Sequence, residues 1–154
     1  MKNLARIGVI AVVGIGAPAA AAEVRVIVSP LEQVVVAGEV PIFSVRVEAV
    51  RTSARVIRLN ERDDLRVNYA RLAITLAGSP VELPRFISDP GPIGANDYVV
   101  LDPGKSLSFL HRGEPFALSE LRPGSYSARV TLHHELVGGA EIESNVVKLT
   151  VRAK

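Results

Sequence analysis

The residues from Leu121 to Leu132 most constrain the fold, because they join a tight turn to a strictly alternating segment. Pro123 presets φ and Gly124 tolerates a positive φ, so this pair predicts a turn with a defined mechanism. After the turn, apolar side chains occupy every second position, at Tyr126, Ala128, Val130 and Leu132. This alternation predicts a half-buried strand with its polar positions in solvent.

The same alternation recurs through the chain, separated by turn residues about every eight to twelve positions. Further strands are predicted at Val24–Val28, Val34–Val36, Val40–Val50, Arg55–Leu59, Tyr69–Leu76, Tyr98–Leu101, Ser106–Leu110 and Ile142–Val151, with a short one near 85–88. Ser29-Pro30 interrupts the first of these, which predicts a kink or a change of sheet because proline cannot donate to a ladder. Gly138-Gly139 predicts a hairpin, and Asn60–Asp64 a solvated loop. The pattern predicts an all-β fold, a two-sheet antiparallel sandwich of about seven to nine strands.

The N-terminal segment has the three-part layout of a secretory signal peptide. Lys2 and Arg6 precede an apolar run from Ile7 to Gly16, and Ala20 and Ala22 provide small residues at positions −3 and −1. We therefore predict a helical signal peptide over residues 1–22 and one domain over 23–154. The apolar run is shorter than the ~20 residues that a membrane span needs. The prediction is a periplasmic or secreted protein without a transmembrane anchor after cleavage.

The net charge and the absence of cysteine limit which partners and which reactions the sequence can support. The chain has a formal net charge of +2, and Lys2 and Arg6 in the predicted leader account for that excess. A near-neutral domain gives no electrostatic basis for binding nucleic acid or an anionic membrane. The sequence contains no cysteine, which excludes disulfides, thiolate nucleophiles and a lipoprotein anchor.

Three segments resemble immunoglobulin-like and fibronectin type III-like sandwich domains of exported bacterial proteins: Leu121–Tyr126, Leu101–Gly104 and Ser144–Val151. In that family, a tyrosine near the start of one strand closes the preceding turn as the tyrosine corner, and Tyr126 matches it. The resemblance implies structural roles for Pro123, Gly124 and Tyr126. The chain departs from the antibody branch because it has neither tryptophan nor cysteine.

The sequence offers little catalytic chemistry. His133 and His134 are neighbours on a predicted strand, so their side chains would face opposite sides and could not share a metal. A site that combines His111 and His133 with an aspartate follows no ligand-spacing rule, and the cluster Asn60–Asp64 lacks the spacing of an EF-hand loop. No G-x-S-x-G elbow is present. We therefore predict no enzyme, no cofactor and no bound metal.

The segment from 78 to 97 is the candidate recognition loop, because long connections in compact domains are commonly functional. It carries Phe86, Ile87 and Ile93 among four prolines. One interpretation is that these side chains plug the end of the sandwich while the prolines blunt a sheet edge. The other is that they form an apolar contact patch for a protein partner.

These observations predict an exported binding or accessory module of the cell envelope, acting on a protein partner through this loop or through strand addition at an open edge. The alternative function is a protease inhibitor that inserts an exposed loop into a protease. Bacterial proteinase inhibitors of the intracellular type are similar sandwiches, but they lack a leader.

Overall fold

The computed structural model describes residues 24–61, 63–83, 89, 91–112, 118–133 and 141–154. The predicted signal peptide, with Ala20 and Ala22, lies outside these residues. So do the predicted strand near 85–88 and the hairpin at Gly138-Gly139.

The described chain is mostly β-strand, and its helical elements include a short α-helix and a 3-10 helix. In chain order, the elements are β1 (Val24–Pro30), β2 (Val34–Val36), β3 (Phe43–Ala49), β4 (Ala54–Ile57), α1 (Asp63–Tyr69), β5 (Ala70–Leu76), β6 (Ser79–Val81), the 3-10 helix (Ala95–Asp97), β7 (Tyr98–Leu101), β8 (Ser106–His111), β9 (Gly124–Leu132), β10 (Ile142–Glu143) and β11 (Val147–Arg152).

The strands form three sheets. The first has the order β1-β3-β8, the second has the order β2-β11-β9-β5-β6 with β10 also paired to β9, and the third contains β4 and β7. The prediction of two wholly antiparallel sheets is therefore too simple, since β2 runs parallel to β11 and a third small sheet is present. The described residues form eleven strands rather than seven to nine, because the predicted strand Ile142–Val151 is divided into β10 and β11 and because β6 was not predicted.

The first predicted strand does change sheets. β1 ends at Pro30 in the first sheet, and the chain then crosses to the second sheet, where β2 pairs with β11. The Pro30 nitrogen faces away from β3, and the Leu31 N–H still donates to the Ile42 carbonyl at 2.9 Å, so the first ladder ends just beyond the proline. β2 then lies parallel to β11.

The alternating faces predicted for β9 and β3 are confirmed. Every second residue of β9 is buried, as in β3, where the buried positions are Phe43, Val45, Val47 and Ala49. The inward faces of the first and second sheets join one continuous apolar cluster. The architecture is therefore sandwich-like, with a core of aliphatic side chains. Each fully buried Val, Leu or Phe contributes about 1.5–3 kcal/mol.

Two segments differ from their predicted structure. The predicted loop Asn60–Asp64 is cut short by α1, which begins at Asp63 and buries Leu65 completely. The predicted irregular segment after Gly78 begins instead with β6, which forms a hairpin with β5. Its two-residue loop holds Ala77 and Gly78 at φ values of 50° and 84°. Two consecutive positive φ angles in such a loop are the pattern of a type I′ turn, whose twist suits a hairpin.

Candidate functional site

Of the three apolar residues singled out in the loop from 78 to 97, one lies among the described residues. Ile93 is half-buried and packs against the core, as the plug interpretation expects. Phe86 and Ile87 lie outside the described residues. The described part of the loop then ends in the 3-10 helix and leads directly into β7.

The three residues of the predicted turn occupy the start of β9. Tyr126 is buried, and its hydroxyl donates a hydrogen bond of 2.7 Å to the carbonyl oxygen of Arg122. A tyrosine corner makes the same kind of bond, from the ring to the backbone a few residues upstream. At Gly124, an added Cβ would lie 3.1 Å from Leu76 Cδ1, so a larger residue would require the Leu76 side chain to shift by a few tenths of an ångström. Pro123 lies in the exposed bend between these groups.

Replacement of Tyr126 by phenylalanine is expected to keep the fold and lower the free energy of unfolding by about 1 kcal/mol. The ring stays in the core, but the Arg122 carbonyl loses its donor. Urea denaturation of both proteins measures the difference. An unchanged midpoint would show that this bond adds nothing to the turn.

A side chain from the second sheet blocks the edge of β1. Asn145 Oδ1 accepts the Val28 N–H at 2.8 Å, and Asn145 Nδ2 donates to the Val28 carbonyl at 3.0 Å. Both bonds use backbone groups that point away from β3, the strand paired with β1 in the described part of the chain. The amide therefore takes the place of a neighbouring strand at a residue that is 0% exposed.

A β-bulge holds Asn145 in this position. Residue pairs along β9 shift by one between β10 and β11, so that β9 has one residue fewer than its partners across residues 144–146. Ser144 fills the gap, because its Oγ accepts the Val130 N–H at 2.9 Å and its own N–H donates to the Val130 carbonyl at 2.8 Å. Such an extra residue bends the strand and redirects its side chains. Here it turns Asn145 toward β1.

The edge of β2 is blocked by a carboxylate. Glu39 Oε2 accepts the Val36 N–H at 2.8 Å, and the Glu39 N–H donates to the Val36 carbonyl at 2.9 Å. This edge also exposes Leu31, Val34 and Val36. A charged side chain on an apolar edge discourages pairing with another chain.

The outer edges of β8 and β6 are also protected against pairing with another strand. On β8, Arg66 Nη1 from α1 donates to the Leu110 carbonyl at 3.2 Å. On β6, Pro80 pairs with Thr75 and offers no N–H of its own. Both outer strands of the first sheet and both outer strands of the second sheet are thus protected at one position or more.

The β7 edge differs from these four. The Arg58 N–H donates to the Asp97 carbonyl at 2.8 Å, just beyond the pair Ile57–Tyr98. Because hydrogen-bonded and non-hydrogen-bonded pairs alternate along an antiparallel ladder, the backbone groups of Tyr98 and Val100 must point away from β4. The Tyr98 N–H accordingly donates backwards to the Ala95 carbonyl.

Val100 is the centre of this open edge. It is 61% exposed, and no side chain in the described ranges caps its outward N–H or carbonyl. On the other strand of the small sheet, the Leu59 N–H already occupies the outward carbonyl of Ile57 at 2.8 Å. The described edge groups left for a further strand therefore lie on both strands of this sheet: those of Val100 and the Tyr98 carbonyl on β7, and the N–H and carbonyl of Arg55 on β4.

Arg55 and Tyr98 form a stacked pair beside the open edge. The Arg55 Cζ atom lies 3.9 Å from the centroid of the Tyr98 ring, which is cation–π geometry. Arg55 is the cross-strand neighbour of Val100, and Tyr98 is two residues before it, so all three share one face. Arginine and tyrosine are the side chains most often found at the energetic centres of protein interfaces.

A shallow groove on the other side of the molecule is a weaker candidate. It runs along β1 from Val24 to Ile27 and is bounded by residues 142–145. Arg25 and Glu143 stand at its rim, but Val26 on its floor is only 3% exposed. Asn145 also closes one end through its bonds to Val28. The outward backbone groups of Val26 lie in this groove, but its side chain is buried, whereas Val100 is exposed.

His111 is the buried ionisable group of the described core. Its Nε2 lies 2.6 Å from the Ala70 carbonyl oxygen, which identifies Nε2 as the donor. Burial lowers the pKa of this imidazole, the bond to Ala70 raises it, and the positive charge of Arg66 lowers it further. The neutral ring therefore serves as a hydrogen-bond donor between β8 and β5.

The described residues bring no three histidine, aspartate or glutamate side chains together in a way that could hold a metal. No helix within them is both long and apolar enough to span a membrane.

No family model and no curated protein sequence matches the chain. Among solved structures, it is similar to the sporulation control protein Spo0M of Bacillus subtilis, with a TM-score of 0.48 and 11% identity over 85% of this chain. It is also similar to a β-glucosidase of Listeria innocua bound to isofagomine, with a TM-score of 0.42 and 18% identity over 86% of this chain. The match spans 50% of the Spo0M chain and 16% of the β-glucosidase chain.

Proposed function

We propose that the chain is an exported immunoglobulin-like module of the cell envelope that binds a protein partner and has no catalytic activity. In this proposal, the partner contributes an extended strand that pairs with the outer edge of β7. Strand addition uses main-chain hydrogen bonds for affinity and side chains at alternate positions for specificity.

One observation carries this proposal: within the described chain, blocking of sheet edges is selective. Asn145, Glu39, Arg66 and Pro80 each protect one edge. The β7 edge has no such block and exposes Val100. Unprotected edges invite association, so proteins normally cover them. β4 also keeps the Arg55 backbone groups outward, so the small sheet is left open on both sides in the described chain, and β7 presents the exposed Val100 side chain to a partner strand.

Other features support the remaining parts of the proposal. The crossing from β1 to a strand parallel to β11 and the bond from Tyr126 to Arg122 both suit an immunoglobulin-like domain. Export follows from the leader-like residues 1–22. The protease-inhibitor alternative needs an exposed reactive loop, and no observation on the described residues favours one.

Replacement of Val100 by proline tests the proposed edge. Its N–H faces away from β4, so proline should leave the β4–β7 ladder intact while removing the donor that an added strand needs. Tagged wild-type and variant proteins are used to capture partners from an envelope extract, quantified by mass spectrometry. We expect at least one protein to be captured about ten-fold less by the variant, a loss equivalent to about 1.4 kcal/mol.

The matched control is Val100→Thr, which keeps the N–H and a strand-forming side chain. It should capture the same protein at a level close to that of the wild type. Val100→Lys is a second blocking variant, because an exposed edge lysine opposes strand pairing without affecting the core. Thermal unfolding confirms that each variant is folded. The proposal is wrong if every captured protein is retained equally by the folded proline and lysine variants.

A further inference from the structure

We infer that the strand received by β7 carries a carboxylate side chain two residues away from an apolar one, with the carboxylate opposite Tyr98 and the apolar residue opposite Val100. This inference rests on the proposed function, because it assumes that a strand adds at this edge. It goes further by specifying the chemistry of the partner segment.

The position of the Arg55 guanidinium is the first argument. Arg55 belongs to β4, which is the strand farther from the open edge. Its guanidinium nevertheless lies over the ring of Tyr98 on β7. The positive charge of a β4 residue therefore lies over β7, the strand that has the open edge. A side chain directly opposite Tyr98 on an added strand would have its Cβ only about 4.5–5.5 Å from that of Tyr98.

The local carboxylates provide the second argument, because each already has another partner. Glu61 pairs with Arg58 at 3.6 Å, Asp97 Oδ2 accepts the Gly94 N–H at 2.8 Å, and Asp102 accepts the Ser53 hydroxyl at 3.2 Å. Among the described residues, Arg55 makes its observed contact with an aromatic ring and with no carboxylate. A guanidinium centred over a ring still has N–H groups that are free to donate beyond the ring. It can therefore bind a carboxylate in a bidentate manner.

The backbone sets the spacing between the two partner side chains. Val100 offers both its N–H and its carbonyl outward, so the residue opposite it can exchange two hydrogen bonds. At Tyr98, only the carbonyl is available, because its N–H is bound to Ala95. Residues opposite Val100 and Tyr98 are two apart on the added strand and so point to the same face. The exposed Val100 side chain favours an apolar residue opposite it on the added strand. The Arg55 guanidinium favours an acidic residue opposite Tyr98.

Synthetic extended peptides can test this pattern directly. The probe is the capped heptapeptide Thr-Thr-Val-Thr-Glu-Thr-Ser, in which valine and glutamate are two apart. The matched probe replaces its glutamate with glutamine, which removes the charge and keeps the shape. Each is titrated to millimolar concentration into isotope-labelled protein, and the amide shifts of Tyr98 and Val100 are followed by NMR. We expect the glutamate peptide to bind about five-fold more tightly, as for an exposed ion pair near the upper end of the usual range.

Replacement of Arg55 by glutamine should make the affinities for the two peptides about equal. In the wild-type protein, high salt should reduce the difference between these affinities, because it screens the ion pair. Arg55 is exposed, so this change should leave the fold intact. Equal affinities for both peptides in the wild type would overturn the acidic preference but leave strand addition at β7 standing. If neither peptide shifts the Val100 amide at millimolar concentration, strand addition at this edge fails, and the acidic preference fails with it.

Discussion

Replacement of Asn145 by alanine is expected to lower the free energy of unfolding by about 2–4 kcal/mol, because it leaves two backbone groups of Val28 without partners. The N–H and the carbonyl of Val28 are both bonded to the Asn145 amide. Val28 is 0% exposed, so bulk water does not replace these bonds without a local opening of the edge. Denaturation by guanidinium chloride, followed by circular dichroism, measures the loss.

The neighbouring position provides the control. Val146 is 60% exposed, and its replacement by alanine should change stability by less than about 0.5 kcal/mol. The Asn145→Ala protein should also show concentration-dependent association in light scattering, since it unblocks an edge strand. If the two alanine variants unfold at the same denaturant concentration, the Asn145 amide does not stabilise the edge of β1.

The sequence predicts the buried faces well because alternation is a local property. The inward residues of β9 and β3 follow from a period of two, and the structure buries them as predicted. At the end of β5, the same period of two would turn Leu76 inward together with Ile74, but Leu76 is 38% exposed. Local pattern therefore predicts which face turns inward, but not where the opposing sheet stops.

The helix α1 was missed for a related reason. The residues from Leu65 to Tyr69 alternate between apolar and polar types, as a strand would. A helix of seven residues completes about two turns, too few for a period of 3.6 to stand out. Leu65 is fully buried in the common apolar cluster, so tertiary packing decides in favour of the helix.

The candidate site could not be predicted from local pattern, because it depends on which edges are covered. Asn145 and Val28 are 117 positions apart in the sequence. One signal was present: Asn145 interrupts an otherwise strand-like segment, and asparagine is depleted in strands. β7 itself was predicted with its observed bounds, Tyr98–Leu101. That its edge is open follows only from the pairing of the other strands.

Acidification is expected to destabilise the protein through His111. In the unfolded chain, this imidazole titrates at its ordinary pKa of 6.5, whereas burial lowers its pKa in the folded protein. Between the two pKa values, the unfolded state binds a proton that the folded state does not. Stability is therefore complete above pH 6.5 and decreases as the pH falls below it, by up to about 1.4 kcal/mol per pH unit until the folded pKa is reached.

The charged neighbour strengthens this expectation. Arg66 extends from α1 to the Leu110 carbonyl, next to His111, so a protonated imidazole would face a like charge inside the core. His111→Gln provides the comparison, because a glutamine amide can still donate to the Ala70 carbonyl but does not titrate. Free energies of unfolding measured from pH 7.5 to pH 5 should fall more steeply for the wild type than for this variant. Parallel profiles would mean that His111 takes no part in the acid sensitivity of the fold.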